Sequence, residues 1–253
     1  MTLQIVFSNQ TETLANHLLN GLAAVPADPF AAQHVVVPST AMARYLQLAI
    51  ARDRGVCANV KFSFLAHWLW QLAREVDAGV PERSPVDPAT MTWMILRILG
   101  DSRYAAYPRL GGFLKEADDL MRFELAQSVA RVFDQYATYR PDWLAAWRAG
   151  KSLSGLRASA SGADDEAWQG EIWRAVANDL NLGAAHPLQT ILEDIGRKGP
   201  GAATVELGQS AAVFAVPVIP PLYLKTICRL SEVMNITLYL MNPCREYWFN
   251  IVP

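Results

Sequence analysis

The sequence predicts an α/β fold: a parallel sheet flanked by helices and interrupted by a large all-helical insertion. Three observations predict it. Towards both ends, short apolar runs alternate with amphipathic helical stretches. The runs His34-Val-Val-Val37 and Ala211-Ala-Val-Phe-Ala-Val216 are continuously apolar, as strands covered on both faces are. Between residues 85 and 200 only helical periodicity occurs. The predicted division is therefore one split α/β domain, residues 1–80 with 205–253, and a helical domain over 85–200.

Taken in order, the first strand covers residues 3–7 and leads into a helix whose Leu14, Leu18, Leu19 and Leu22 share one face, with Asn9 and Glu12 spaced as a capping box. After the strand at 34–37, Pro38-Ser39-Thr40 caps a helix running to Asp53 and stopped by Gly55. Val60-Lys-Phe-Ser63 is β-like, and residues 64–76 form an aromatic-rich helix. Asp87-Pro88 opens a helix through Leu99, an N-cap followed by proline at the first helical position. Further helices are predicted at 113–139, 141–149, 165–181 and 187–198, with a mobile loop from Lys151 to Asp164 around Ser-Gly-Leu-Arg-Ala-Ser-Ala-Ser-Gly. Beyond the Gly199-Pro200-Gly201 break come a strand at 211–216, a helix from Pro220-Pro221 to Val233 and a strand at 236–241.

With 253 residues, 52% hydrophobic and 18% charged, the chain has material for a sizeable core. A formal net charge of −2 gives no global sign of a nucleic-acid binder, and a local basic groove does not show in a sum. Cys57, Cys228 and Cys244 are widely spaced and odd in number, which argues against a disulfide framework or a zinc knuckle. No apolar run approaches the roughly 20 residues that span a bilayer, and Met1-Thr-Leu-Gln begins no secretory leader, so the expected location is cytoplasmic with no membrane partner.

A strand, a turn and a helix at the start is the frame of many nucleotide-binding domains, whose turn is glycine-rich and carries a lysine for the terminal phosphates. Here the turn is Ser8-Asn9-Gln10-Thr11, with neither. Other chemistry fails on spacing. His17 and His67 have no carboxylate or second histidine at metal-ligand distance along their helices. Asp118-Asp119, Asp164-Asp165-Glu166 and Glu193-Asp194 are neighbours that point to different helix faces. No catalytic residue, cofactor site or metal site is expected. Trp143 and Trp147 are i,i+4 partners, read as core or interface anchors.

Two places remain where the residues offer exposed polar groups to a ligand. At Pro38-Ser39-Thr40 a helix N-terminus follows a buried strand and offers N–H groups and hydroxyls to anions, although capping alone accounts for Ser39. Around Arg131-Val-Phe-Asp-Gln-Tyr136, an apolar stripe of Leu125, Val129, Val132, Phe133 and Tyr136 opposes Gln127, Arg131, Asp134, Gln135 and Thr138. Asp134 and Gln135 carry groups suited to base edges, although a solvated face has the same spacing.

Several blocks in order resemble the gamma subunit of exodeoxyribonuclease V, the RecC family. They are Phe7-Ser-Asn, Val37-Pro-Ser-Thr-Ala-Met-Ala-Arg-Tyr-Leu-Gln47, Phe133-Asp-Gln-Tyr136, Tyr139-Arg-Pro-Asp-Trp-Leu144, Ala167-Trp-Gln169, Pro220-Pro-Leu-Tyr-Leu224 and Asn242-Pro-Cys-Arg-Glu-Tyr-Trp248. The resemblance implies inactivated superfamily 1 helicase domains 1A and 1B: a P-loop-helicase-like parallel sheet without ATPase chemistry. Pro217-Val-Ile-Pro220 stands where a working helicase carries magnesium-binding acids. Family members are several times longer, so an N-terminal fragment is expected, which the ending Trp248-Phe-Asn-Ile-Val-Pro253 fits. The implied role is a non-catalytic subunit of an ATP-dependent helicase–nuclease, partnered by the alpha and beta subunits and by single-stranded DNA, that recognises Chi-type sequences in double-strand-break repair and homologous recombination.

By motif match the resemblance assigns DNA contacts to Thr40, Asp134, Gln135 and Arg140, and a stacking role to Trp70, with Ser39, Arg44 and Arg131 beside them. The familiar pattern has glutamine at Pro38 and Arg44, leucine at Phe64 and aspartate at Arg131. Two readings follow: recognition of a different regulatory sequence, or a channel and scaffold that clamps its partner subunits without reading sequence.

Overall fold

The computed structural model describes residues 2–23, 32–76, 79–84, 86–153, 160–180, 210–242 and 244. The chain divides into two compact units, Met1–Gly79 with Ile191–Pro253, and Val80–Thr190.

The first unit is built on a sheet whose strands, among the described residues, are β1 (Leu3–Ser8), β2 (Gln33–Val36), β3 (Val60–Ser63), β4 (Ser210–Phe214) and β5 (Asn235–Met241), in spatial order β1-β5-β4-β2-β3. Every pairing is parallel. Parallel pairing needs crossover connections, and helices supply them. Helix α1 (Thr11–Ala23) buries Leu14, Ala15, Leu18, Leu19 and Leu22 in a core with Val35, Val37, Ala212, Phe214 and Tyr239. The alternate strand residues Val36, Val213, Ile236 and Leu238 are buried on the opposite face, which is why these strands read as unbroken apolar runs. Helix α2 (Thr40–Arg54) starts at Ser39, whose side chain accepts from the Met42 N–H, and ends at Gly55 in the left-handed conformation, φ 80°. Helix α3 (Leu65–Val76) follows β3.

The start of α1 departs from the expected capping box. The helix begins at Thr11 with Gln10 before it: the Gln10 carbonyl accepts from Leu14 N–H at 3.2 Å and its own N–H donates to Ser8 Oγ at 3.1 Å. The polar turn closes on its own serine, so Asn9 is not the cap.

Among its described residues the second unit contains helices and no strand. Helix α4 (Pro88–Leu99) is followed by a 3-10 turn (Ser102–Ala106), α5 (Pro108–Glu116), α6 (Asp119–Tyr139), α7 (Pro141–Arg148) and α8 (Ala160–Asp179). Met91, Ile95, Tyr104, Phe133, Trp147, Ile172 and Trp173 are among its core. Asp87 precedes α4 with extended backbone but makes no side-chain cap bond. Two expectations fail here for local reasons. The helix predicted over 113–139 is broken at Ala117 and Asp118, because Asp118 turns extended and its carboxylate accepts from Met121 N–H at 2.8 Å, capping a new helix. The loop predicted to Asp164 ends earlier, since α8 begins at Ala160; packing outweighs the Ser-Gly composition, Gly170 lying against the Trp147 ring and buried Glu166 accepting from Trp147 Nε1 at 3.3 Å.

Back in the first unit, β4 ends at Phe214, two residues before the expected limit, because Ala215 adopts φ 50° while its N–H donates to the Tyr239 carbonyl at 2.8 Å. Helix α9 (Pro221–Leu230) stops three residues before the predicted Val233. The helix predicted at 187–198 and the break at 199–201 lie outside the described residues.

Candidate nucleic-acid interface

Because the strands are parallel, their C-terminal ends meet on one edge of the sheet, the edge where α/β folds bind ligands. A cleft of about 310 Å3 opens there, lined by Phe7, Ala215, Val216, Pro217, Leu240, Met241 and Asn242. Among the described residues its lining contains no glycine, lysine or carboxylate. Its polar member is already committed: the Asn242 N–H donates to the Ser8 carbonyl at 2.9 Å and the Asn242 Oδ1 accepts from Cys244 N–H at 3.1 Å. This wall suits an apolar group better than a triphosphate, which needs backbone N–H groups and cations around it.

On the same edge, α2 starts two residues beyond Pro38, after its cap Ser39. Ser39 Oγ accepts from the Met42 N–H at 3.2 Å, so its oxygen caps the helix. Thr40 and Arg44 are exposed and four residues apart, hence on one face, with exposed Tyr45 beside them. A first-turn hydroxyl, free first-turn N–H groups and a guanidinium one turn on can hold a phosphate. Phe64 is exposed at the end of β3, and Trp70 is half-buried on α3, leaving only part of its ring for stacking.

The remaining candidates lie in the helical unit. On α6, Gln127, Arg131 and Gln135 are exposed, and Arg131 donates to Gln127 Oε1. Asp134 differs from the solvent-facing position predicted for it. It is half-buried, and burial, with the Asp87 carboxylate second, pushes its carboxyl above the usual aspartate range. Asp134 therefore faces the start of α4, which packs along α6.

Arg140, where α6 gives way to α7, is exposed but engaged. Its Nε donates to Asp142 Oδ1 at 3.1 Å, one terminal nitrogen donates to Oδ2 at 2.9 Å, and its guanidinium carbon lies 4.0 Å from the Trp143 ring centroid. The same hydrogen bonds lower the Asp142 carboxyl below the usual range and raise Arg140. Trp143 also packs on Tyr136, ring centroids 5.2 Å apart. The guanidinium is thus held flat, with its outer face and one terminal nitrogen available to a base or phosphate. Sequence reading missed this support, although Arg140-Pro-Asp-Trp143 at a helix start already places the four residues together.

Thr40, Ser39, Arg44 and Trp70 thus belong to the sheet unit, and Arg131, Asp134, Gln135 and Arg140 to the helical unit. Asp164, Asp165 and Glu166 are each engaged, Asp164 by the Arg109 N–H, Asp165 by the Arg109 guanidinium and Glu166 by Trp147 and Leu153. Among the described residues no cluster of histidine, cysteine and acidic side chains is arranged to hold a metal ion, and no helix is long and apolar enough to cross a membrane.

The family model described as RecC, N-terminal domain, matches residues 3–253. The chain belongs to the RecC family. Similar proteins include the RecBCD enzyme subunit RecC of Escherichia coli K12, 31% identical over 234 residues, covering 88% of this chain and 20% of that protein. The Haemophilus influenzae subunit is 29% identical over 269 residues, covering 98% of this chain and 24% of its own length. The Mycolicibacterium smegmatis subunit is 26% identical over 259 residues, with 98% and 22% covered. The chain spans less than a quarter of the length of these RecC relatives.

Proposed function

We propose that this RecC-family chain is the N-terminal part of a non-catalytic DNA-binding subunit of an exodeoxyribonuclease V-type helicase–nuclease, acting in the cytoplasm in double-strand-break repair and homologous recombination. The observation that carries the reading is the match to the RecC N-terminal domain over residues 3–253, together with relatives named as subunits of the RecBCD enzyme. Its partners are single-stranded DNA and the alpha and beta subunits. The parallel sheet with an apolar cleft at its ligand-binding edge supports descent from a helicase ATPase frame whose phosphate chemistry is gone. No cofactor is assigned to this chain.

Within that role, Thr40 and Arg44 form a phosphate-holding pair at the start of α2, with Ser39 positioning the helix end and Trp70 offering part of a stacking surface. Arg131, Gln135, Asp134 and the stacked Arg140 form a surface that reads a Chi-type regulatory sequence. The test uses the full-length subunit in the assembled enzyme, with unwinding and nuclease attenuation followed on randomised DNA. Gln135→Ala should lower the sequence-dependent response about tenfold or more while unwinding persists, since one base-edge contact discriminates by roughly 1–3 kcal/mol. Arg140→Ala should weaken binding to every sequence and lower its salt dependence. A second reading, a scaffold that clamps the partner subunits without reading sequence, is favoured by the internal ties of Arg131 to Gln127 and of Arg140 to Asp142. Absence of any sequence-dependent attenuation selects it.

A further inference from the structure

The helical unit carries an apolar strip that its own core does not use. On α4 the inward positions are Met91, Thr92, Ile95, Ile98 and Leu99, which leaves Trp93 facing out at 66% exposure. Its ring meets Phe123 of α6, centroids 5.4 Å apart and tilted by 53°. Leu120, one turn before Phe123 on the same helix, is 65% exposed, and Met121 beside it is exposed too. Isolated exposed apolar residues are ordinary, but a tryptophan held against a phenylalanine with a neighbouring leucine is a contiguous surface of the kind that anchors protein partners.

The charges around the strip select the partner. Glu116, Asp119 and Glu124 are exposed, and among the described residues none of them forms an ion pair. Asp118 adds a fourth carboxylate as the α6 cap. The cations nearby are fewer or occupied. Lys115 is exposed, Arg97 is bound to Asp179, and Arg122 donates into the carbonyls of Leu114 and Ala117. Arg131 lies eight residues beyond Phe123, about 12 Å along the helix axis. An aromatic strip inside an acidic rim repels phosphate, so it is not a stacking platform for DNA. It complements a polypeptide that is apolar on one side and basic at its margins.

We infer that the Trp93–Phe123–Leu120 strip docks a basic amphipathic helix of another subunit of the assembly. The inference rests on the proposed function, because it needs a multi-subunit enzyme. Trp93 and Leu120 seat in the apolar face of the partner helix, and Asp119 and Glu124 face its lysines or arginines.

The test replaces Trp93 by the photocrosslinker p-benzoylphenylalanine in the full-length subunit, which is then assembled with its partner subunits and irradiated. The expected product is a covalent link to a partner subunit, mapped to a segment with apolar residues at helical spacing and flanking lysines or arginines. In the same assembly the pair Asp119→Lys and Glu124→Lys should weaken subunit association about tenfold or more, less so at high salt. Leu120→Asp serves as a second variant at a solvent-exposed position, with the same expected loss. Crosslinks only within the same chain, only to DNA, or to nothing while the subunits still co-purify overturn this inference alone. Failure of the unmodified subunit to co-purify with any helicase or nuclease subunit overturns the proposed function and this inference with it.

Discussion

Two adjacent glycines on α5 should respond to the same substitution with opposite signs. Gly111 is buried in the helical core against the 3-10 turn. A β-carbon built there would lie 3.0 Å from the Ala105 Cα and 2.8 Å from its carbonyl carbon, with the carbonyl oxygen closer still. These are backbone atoms, so relief requires the 3-10 turn and α5 to separate. Alanine gains about 1 kcal/mol of helix propensity over glycine. Overpacking a close-fitted core costs typically about 1–3 kcal/mol, and a rigid backbone contact belongs at the upper end. Gly111→Ala should therefore destabilise by about 2 kcal/mol net. At about 2–4 °C per kcal/mol for a chain of this size, the unfolding midpoint should fall by roughly 4–8 °C. Gly112, one residue on, is exposed, and an added β-carbon meets nothing within 4 Å. Gly112→Ala keeps the propensity gain and should raise the midpoint by about 2–4 °C. Scanning calorimetry and urea unfolding of both variants measure the pair. A Gly111→Ala protein as stable as the parent would refute the close approach of α5 to the Ser102–Ala106 turn.

Ser39→Ala removes the side-chain acceptor of the Met42 N–H and should cost about 1 kcal/mol, read from the urea midpoint, whereas Thr40→Ala at the exposed neighbouring position should stay within about 0.5 kcal/mol. Glu166→Ala strips an acceptor from Trp147 Nε1 and the Leu153 N–H, leaving two donors without it at a cost of about 2–4 kcal/mol; an unchanged midpoint would show that water or another group takes over. Asp134 makes stability pH-dependent in a stated direction. Burial, with the Asp87 carboxylate second, pushes its folded-state carboxyl above the ordinary aspartate value, so the fold binds that proton more tightly than the unfolded chain does. The contribution is fully present below the ordinary aspartate range and is lost as pH rises through the raised folded value. Asp134→Asn should therefore be more stable than the parent at neutral pH, with the advantage shrinking on acidification; thermal melts at several pH values that show no such trend would contradict the half-buried placement.

Most of what the sequence made readable was governed by neighbours in the chain, although the equally local Asn9–Glu12 capping box did not form. The leucine spacing of α1, the Ser39 cap and Gly55 stop of α2, and the limits of Val60–Ser63 are local, and each stands where its residues put it. The breaks that escaped were decided by competition or by distance. At Asp118 the surrounding residues form helix readily, and a single carboxylate cap outweighs them. At Ala160 the Ser-Gly composition argues for a loop, and the contacts of Glu166 and Gly170 with Trp147, 19 and 23 residues earlier in the chain, overrule it.

The candidate site divides along the same line. The periodicity of α6 separates core from solvent, but a helix packed against two neighbours has a third environment, the margin where it meets the end of another helix. Asp134 lies there, beside an Asp87 that is 47 positions away in sequence and that no i,i+4 pattern connects to it. Arg140 is the opposite case: its partners Asp142 and Trp143 are two and three residues on, within reach of a local reading that nonetheless missed them. The two residues consequently enter the DNA-reading proposal on different terms. Arg140 is already oriented, so a base or phosphate reaching it loses little side-chain entropy. Asp134 must either accept from a base edge while remaining half-buried beside another carboxylate, or bind in its protonated form and donate. If it reads DNA, its contribution to the sequence response should therefore change at a higher pH than an ordinary exposed aspartate would allow, and that of Gln135, one residue along the helix, should not.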